Sequence, residues 1–163
     1  MSGTARLLLR PPRLADAPAL LAFMGDPAAM RWTHAHAGLR ALRRYLAGHA
    51  CARRRNGFGP WTLVDRYTAA IIGLGGLYED PFDPGWGLEV GYFLAPAAWG
   101  RGYASELVAH CLATAWASGQ PSVRAFVHPD NAASRRVLEK NGFMARRFIP
   151  EMARWLLEAV PTS

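Results

Sequence analysis

Cysteine is scarce: the 163-residue chain has two, Cys51 and Cys111, too few for a disulfide framework. Cys111 falls on the apolar face of a helical pattern, which suits a reduced protein better than a disulfide-stapled secreted one. Long apolar runs are missing as well. The longest candidate, AAIIGLGGLY at 69–78, falls well short of the ~20 residues that a membrane span needs. The opening MSGTARLLLRPP has no extended apolar segment ahead of a cleavage site, so it does not read as a signal peptide. These absences predict a soluble, cytoplasmic protein with no membrane partner. Acidic residues are outnumbered, 12 Asp and Glu against 19 Lys and Arg, for a formal net charge of +7. That surplus favours an anionic partner (nucleic acid, membrane surface or phosphorylated cofactor) or else a solvated basic face. The arginines are spread along the chain, with Arg53-Arg54-Arg55 the one tight run, and no basic stripe is interleaved with aromatics. A specific nucleic-acid interface is therefore not expected.

Hydrophobic residues make up 51% of the chain and aromatics 11%, enough to bury a core. No repeat, low-complexity tract or linker divides it, and residues 1–163 read as a single domain. ARLLLR (5–10) reads as a strand stopped by Pro11-Pro12. Asp16 is placed to cap a helix to about Met24, and a second helix spans 38–54, with Leu39, Leu42, Leu46 and Ala50 at helical spacing. Three β-rich runs follow at 58–66, 69–78 and 85–95, then helix 102–117, strand 122–128, helix 131–141, and strands near 143–149 and 152–159. The order β-α-α-β-β-β-α-β-α-β-β predicts an α/β fold with a mixed central sheet of about six to seven strands flanked by helices.

WGRGYASELVAHCL (99–112) sets two glycines directly before the helix, where Ser, Thr, Asn or Asp would ordinarily cap its backbone N–H groups. Bare N–H donors at the positive end of a helix dipole make a site for an anion, above all a pyrophosphate. A tight turn that needs positive φ reads the same way without any ligand. The string is not a P-loop, lacking G-x-x-x-x-G-K-[ST], and not a dinucleotide fingerprint, because Gly100-x-Gly102 is followed by Ser105 where the third glycine belongs.

The wider context is more specific. LEVGYFLAPAAWGRGYASELVAHCL, followed by VHPDNAASRRVLEKNGF, resembles the acyl-CoA-binding motifs of the GNAT N-acetyltransferase superfamily, most closely the RimJ/RimL-type ribosomal-protein N-terminal acetyltransferase branch. The family turn [Q/R]-x-x-G-x-[G/A] falls on Trp99, Gly102 and Ala104, with tryptophan, Tyr103 and Glu106 usual in that branch. The second motif is met by Asn131, Ser134, Gly142 and Phe143, and RLLLRPPRLADAPAL resembles the branch's first strand and helix.

The resemblance implies acetyl-CoA as co-substrate, its pyrophosphate held by backbone N–H groups of the turn Trp99, Gly100, Arg101, Gly102, Tyr103 and Ala104. Arg101 then adds charge, or is simply a solvated turn arginine. It also implies that strand 88–94 splays from its neighbour to admit the pantetheine arm, with Phe93 and Leu94 as contacts. Asn131 caps its helix, touches that arm, or does both. Ser134 either bonds its own helix backbone or lies near the thioester sulfur. Along strand 88–94, Glu89, Gly91 and Phe93 share one face and Leu88, Val90, Tyr92 and Leu94 the other, which ranks Tyr92 behind Ser134 as a proton donor. Glu89 is the candidate base, or else the partner of an arginine. In the loop between the first two helices, Trp32, His34 and His36 are candidate acceptor contacts or plain surface residues. His34-x-His36 and His49-x-Cys51 supply metal-ligand types without a defined geometry, and no metal is expected. The resulting expectation is an N-acetyltransferase moving acetyl directly to a primary amine, on a protein N-terminus or a small molecule. A non-catalytic acyl-CoA sensor or scaffold module would carry the same turn.

Overall fold

The structure, a computed structural model, describes residues 2–162. In chain order its elements are β1 (Ser2–Gly3), β2 (Leu7–Arg10), α1 (Ala17–Met24), α2 (Leu39–Asn56), β3 (Trp61–Asp65), β4 (Ile71–Tyr78), β5 (Glu89–Leu94), α3 (Tyr103–Ala117), β6 (Val123–Val127), α4 (Ala132–Lys140), β7 (Met144–Ile149) and β8 (Arg154–Ala159). The described strands form one sheet in the order β1-β2-β3-β4-β5-β6-β8-β7. Apart from the two-residue β1, which pairs with β2 and has no hydrophobic pattern of its own, the order of elements along the chain is the one the sequence predicts. Among the described residues no helix is long and apolar enough to cross a membrane.

Side-chain alternation divides the core in two. One face of the sheet carries α3 and α4 over Leu7, Leu63, Leu77, Val90, Val123 and Leu157, and the other carries α1 and α2 over Leu74. In α3 the buried stripe is Tyr103, Leu107, Val108, Cys111, Leu112 and Ala115, so Tyr103 takes the first turn of the stripe in place of half-buried Ala104. In α2 the stripe runs through Leu42, Leu46, His49 and Ala52, while Leu39 is exposed and Ala50 only half-buried. The buried line is rotated toward His49 relative to the spacing of the leucines alone. Asp16 precedes α1 but does not cap it. Its carboxylate takes two bonds from the Arg10 guanidinium (2.7 and 2.8 Å), one from the Arg13 N–H (2.8 Å) and one from the Thr62 hydroxyl (2.9 Å), tying β2, β3 and the entry to α1 together.

Neighbouring strands pair antiparallel along their lengths everywhere except between β5 and β6. Those two run parallel, and among the described residues they share one register pair, Glu89 with Arg124. The Arg124 N–H donates to the Leu88 carbonyl at 2.9 Å, and beyond that bond the strands part.

Candidate functional site

The turn 99–102 is built on two left-handed glycines, Gly100 at φ +68° and Gly102 at φ +82°. Gly102 occupies the N-cap of α3 without a side-chain cap, and among the described residues no acceptor meets the backbone N–H groups of 100–105. Tyr103 turns its side chain inward, its hydroxyl donating to Asp65, so it presents only its N–H to the turn. Arg101 is exposed, with its Cζ 5.5 Å from the Tyr103 ring centroid, and Arg6 brings a second guanidinium to 4.6 Å from the same ring. Arg6 also bonds the Arg101 carbonyl (2.8 Å) and the Glu106 carboxylate (2.7 Å), and the Thr4 hydroxyl donates to that carboxylate too. Burial pulls the Glu106 pKa upward, but these donors and the Arg6 N–H hold it below the usual carboxylate range. Arg6 opens the stretch that resembles the branch's first strand, but nothing in that stretch links it to the turn it supports, almost a hundred positions downstream.

The gap between β5 and β6 opens beside this turn. The Ala95 N–H goes to Ile72 on β4 (2.8 Å), so alternation points the backbone groups of Tyr92 and Leu94 into the gap. The Leu94 carbonyl already accepts the Trp99 indole N–H at 2.8 Å, which leaves its N–H and the groups of Tyr92 for a ligand. Phe93 packs on the other face, against the α1–α2 core. Across the gap, Asn131 caps α4 by accepting the Ser134 N–H (3.1 Å), and the Ser134 hydroxyl lies 2.8 Å from that of Tyr92. Ser134 is therefore bonded through its hydroxyl to β5 rather than to its own helix. Tyr92, ranked second on its strand face, is the partner of the first-ranked residue. Burial, partly offset by this hydrogen bond, pushes the Tyr92 phenol up to about 12. A shared hydrogen bond between two neutral hydroxyls leaves one O–H able to donate elsewhere.

Glu89 lies on the opposite face, 7% exposed. Among the described residues no arginine forms an ion pair with it. Arg124, its register partner, instead pairs with Glu158 (3.7 Å) and donates to the Trp86 carbonyl. Burial, followed by the charges of Asp80 and Asp83, raises the Glu89 carboxyl to about 8, with Arg124 pulling weakly the other way. Tyr78 is its neighbour on β4, and a Cβ at Gly91 would collide with the Tyr78 hydroxyl, so Gly91 makes room for that side chain. An aromatic cluster continues from there. His49 meets Tyr78 (ring centroids 5.0 Å) and Tyr45 (4.6 Å), and Tyr45 stacks on Phe82 at 5.6 Å. Burial lowers the His49 pKa to about 4, and neither of its ring nitrogens has a partner. No motif pointed to Tyr45, Tyr78, Phe82 or His49.

Of the loop candidates, His36 packs on Tyr45 (4.9 Å) and His34 on His36 (5.2 Å), placing both on the Glu89 face. Trp32 sits apart, its ring 4.9 Å from that of His128 just past β6, and its carbonyl accepts from Arg154 at 2.5 Å. The metal-ligand types do not converge, for His49 is buried and Cys51 exposed.

A helix end with open donors, a parted sheet edge and a raised carboxyl together are the chemistry a site would need to hold an anionic carrier and take a proton. The Acetyltransferase (GNAT) domain family matches residues 6–144. The chain belongs to the GNAT acetyltransferase family. It is similar to an Agrobacterium tumefaciens acetyltransferase, 25% identical with a TM-score of 0.83 over 98% of this chain and 94% of that one. The Bacillus subtilis protein YkkB is 29% identical over 118 residues, 72% of this chain and 69% of its own. Mycobacterium smegmatis RimJ, solved in complex with CoA-disulfide, shares the fold at 20% identity, with a TM-score of 0.77 over 94% of this chain and 81% of that one. GNAT enzymes use acetyl-CoA and an amine acceptor, and this protein is accordingly an N-acetyltransferase.

The raised Glu89 carboxyl has a consequence for stability. A folded pKa of about 8 against the ordinary carboxyl value of 4.5 gives a stabilisation that is full below the lower value and is lost as pH rises toward the upper one. The stability of wild type relative to Glu89→Gln should therefore fall between those two pH values, by about 1.4 kcal/mol per pKa unit of difference, and level off above. Denaturant melts of both proteins across that range check this, and parallel curves would refute it.

Proposed function

We propose that this GNAT protein moves acetyl from acetyl-CoA directly to a primary amine, of a protein N-terminus or a small molecule as in the RimJ/RimL-type branch. Glu89 receives the amine's proton through water, and the Tyr92–Ser134 pair serves the leaving thiolate. The observation that carries this reading is the placement of these groups on opposite faces of the sheet, at the place where β5 and β6 part.

On this reading the pyrophosphate lies on the open N–H groups of 100–104 with Arg101, and the pantetheine arm runs along β5 past Phe93 and Leu94 with Asn131 beside it. The thioester then reaches the gap with its sulfur toward Tyr92 and Ser134 and its carbonyl carbon toward the Glu89 face. The amine approaches from that face, guided by the loop of Trp32, His34 and His36. Holding thioester and amine in contact contributes up to roughly 7–11 kcal/mol of the barrier. The amine nitrogen attacks the carbonyl carbon, and its proton passes to the Glu89 carboxylate. The oxyanion is met by a β5 N–H facing the gap, and the C–S bond breaks as the thiolate accepts a hydrogen bond from the hydroxyl pair.

Three measurements test the reading. Gly102→Val puts a branched side chain 3.2 Å from Arg6 Nη2 at a φ of +82°, so it should weaken CoA binding strongly in calorimetry. It should also cost roughly 1–3 kcal/mol of stability from backbone strain, and unchanged CoA affinity in the folded variant would defeat the turn assignment. Tyr92→Phe and Ser134→Ala should lower kcat more than acetyl-CoA affinity, the larger loss identifying the hydroxyl that meets the thiolate. Wild-type kcat in both would return the pair to packing. Glu89→Gln should lower kcat by roughly 10²–10⁴ near neutral pH, and less at high pH where the amine arrives neutral. A Gln variant with the wild-type kcat and pH profile would remove Glu89 from the mechanism.

A further inference from the structure

Between the start of α2 and the β4–β5 loop, on the Glu89 face, lies a cavity of about 630 Å³ lined by Arg40, Arg44, Gly38, Tyr45, Asp80 and Phe82, among others. That volume falls within the range of small-molecule sites and exceeds what a bare short amine would fill. The Tyr45 and Phe82 rings stack with 13° between their planes, giving the cavity a flat aromatic wall. Phe82 reaches this place because Gly48 offers no side chain, and a Cβ there would collide with its ring.

The cavity lining carries charges of both signs. Asp80 is the acid, and its charge acts on Glu89 alongside that of Asp83. Arg40 and Arg44 are the bases, one turn apart on α2 and so roughly 6 Å apart along its axis. Among the described residues neither arginine pairs with a carboxylate, although five other arginines of the chain do. The first-turn N–H groups of α2 lie open beside them, since Gly38 caps nothing, and they add to the same positive charge. A polycationic amine would meet two unpaired guanidiniums here, and an uncharged-tailed amine would leave them unanswered. An ammonium joined to an acid group answers both signs of charge at once.

We propose that the acceptor is an amine that also carries an anionic group, a carboxylate, phosphonate or phosphate, held by Arg40 and Arg44 while its nitrogen points toward Asp80 and Glu89. This rests on the acetyl-transfer reading and narrows its substrate class. The anionic group belongs either to a free small molecule or to an acidic residue near a polypeptide N-terminus.

The test uses the whole protein loaded with acetyl-CoA for turnover and with CoA for binding. Phenylalanine and phenethylamine share one body and differ by a carboxylate. Phenylalanine should show the lower KM and the tighter calorimetric binding, by about tenfold or more, with the margin narrowing in high salt. Arg40→Gln with Arg44→Gln should bring the ratio close to one. Arg43→Gln, an exposed α2 arginine outside the cavity, should leave it as in wild type. Free-N-terminus peptides with glutamate or lysine at the following positions form the second arm. A glutamate peptide preferred over both its lysine counterpart and phenylalanine assigns the anion to a polypeptide, and the reverse assigns it to a small molecule. Equal affinity for phenylalanine and phenethylamine, tighter binding of phenethylamine, no binding of either, or a ratio insensitive to the double substitution overturns the proposal. Acetyl transfer to other amines in the same assay would then leave the acetyltransferase reading standing, whereas phenylalanine binding at Arg40 and Arg44 without any turnover would keep the subsite and sink that reading.

Discussion

Among the described residues one register pair, Glu89 with Arg124, joins the two halves of the sheet at their base, and the rest of the site depends on where that pairing stops. The half β1–β5 is laced antiparallel and so is the half β6–β8–β7, which makes each a stiff leaf. With the leaves joined at Glu89 and Arg124 alone among the described residues, the upper part of β5 is a sheet edge inside the molecule. An unpaired interior edge leaves backbone donors and acceptors unsatisfied, which is costly unless water or a ligand answers them. Trp99 answers one, the Leu94 carbonyl, and the neighbouring groups face the gap.

The same parting explains how a carboxyl on one face and a hydroxyl pair on the other can belong to one reaction. A closed sheet would separate Glu89 from Ser134 by its full thickness, because alternation sends the side chains of 89 and 92 to opposite sides. The opening removes the partition where acetyl must pass. The flanking elements are pinned by ion pairs that sit away from the gap: Asp16 with Arg10 where α1 begins, and Glu106 with Arg6 where α3 begins. Those carboxylates are satisfied by several donors each, and Glu89 is left with none. Its neglect is local.

Much of this could be read in the sequence, and what escaped did so for identifiable reasons. Helices α2 and α3 and the order of elements along the chain follow from periodicity, since each element buries one face. The open helix end was visible because glycine stands where a capping residue belongs. The side of β5 that each residue faces follows from a period of two, but the meeting of Tyr92 with Ser134 does not, for it depends on how far α4 leans over the gap. The part Arg6 plays was invisible because nothing local links it to the turn. His49, noted in the sequence only as a metal-ligand type, was not placed in the core for a subtler reason. The leucine spacing of α2 suggested Ala50 on the buried line, while the ring of His49 was drawn inward by Tyr45, Tyr78 and Phe82, two of which come from the β4–β5 region. Clusters assembled from distant segments leave no mark in a linear pattern.

The acids around Glu89 carry two opposing effects, and their order in time reconciles them. Burial first, then Asp80 and Asp83, make ionisation of Glu89 costly, so that in the absence of substrate near neutral pH the group is mostly protonated. The same negative field attracts an ammonium. On the proposed chemistry, arrival of that cation reverses the balance: a positive neighbour favours the carboxylate, and Glu89 loses its proton as the acceptor docks. The base is then generated by the substrate that needs it. When acetylation turns the amine into a neutral amide, the cation is gone and the original repulsion returns. Glu89 holds the proton it has taken, and the product no longer has a charge to keep it beside the acids. Binding, deprotonation and release are thereby driven by one change of charge at the acceptor nitrogen.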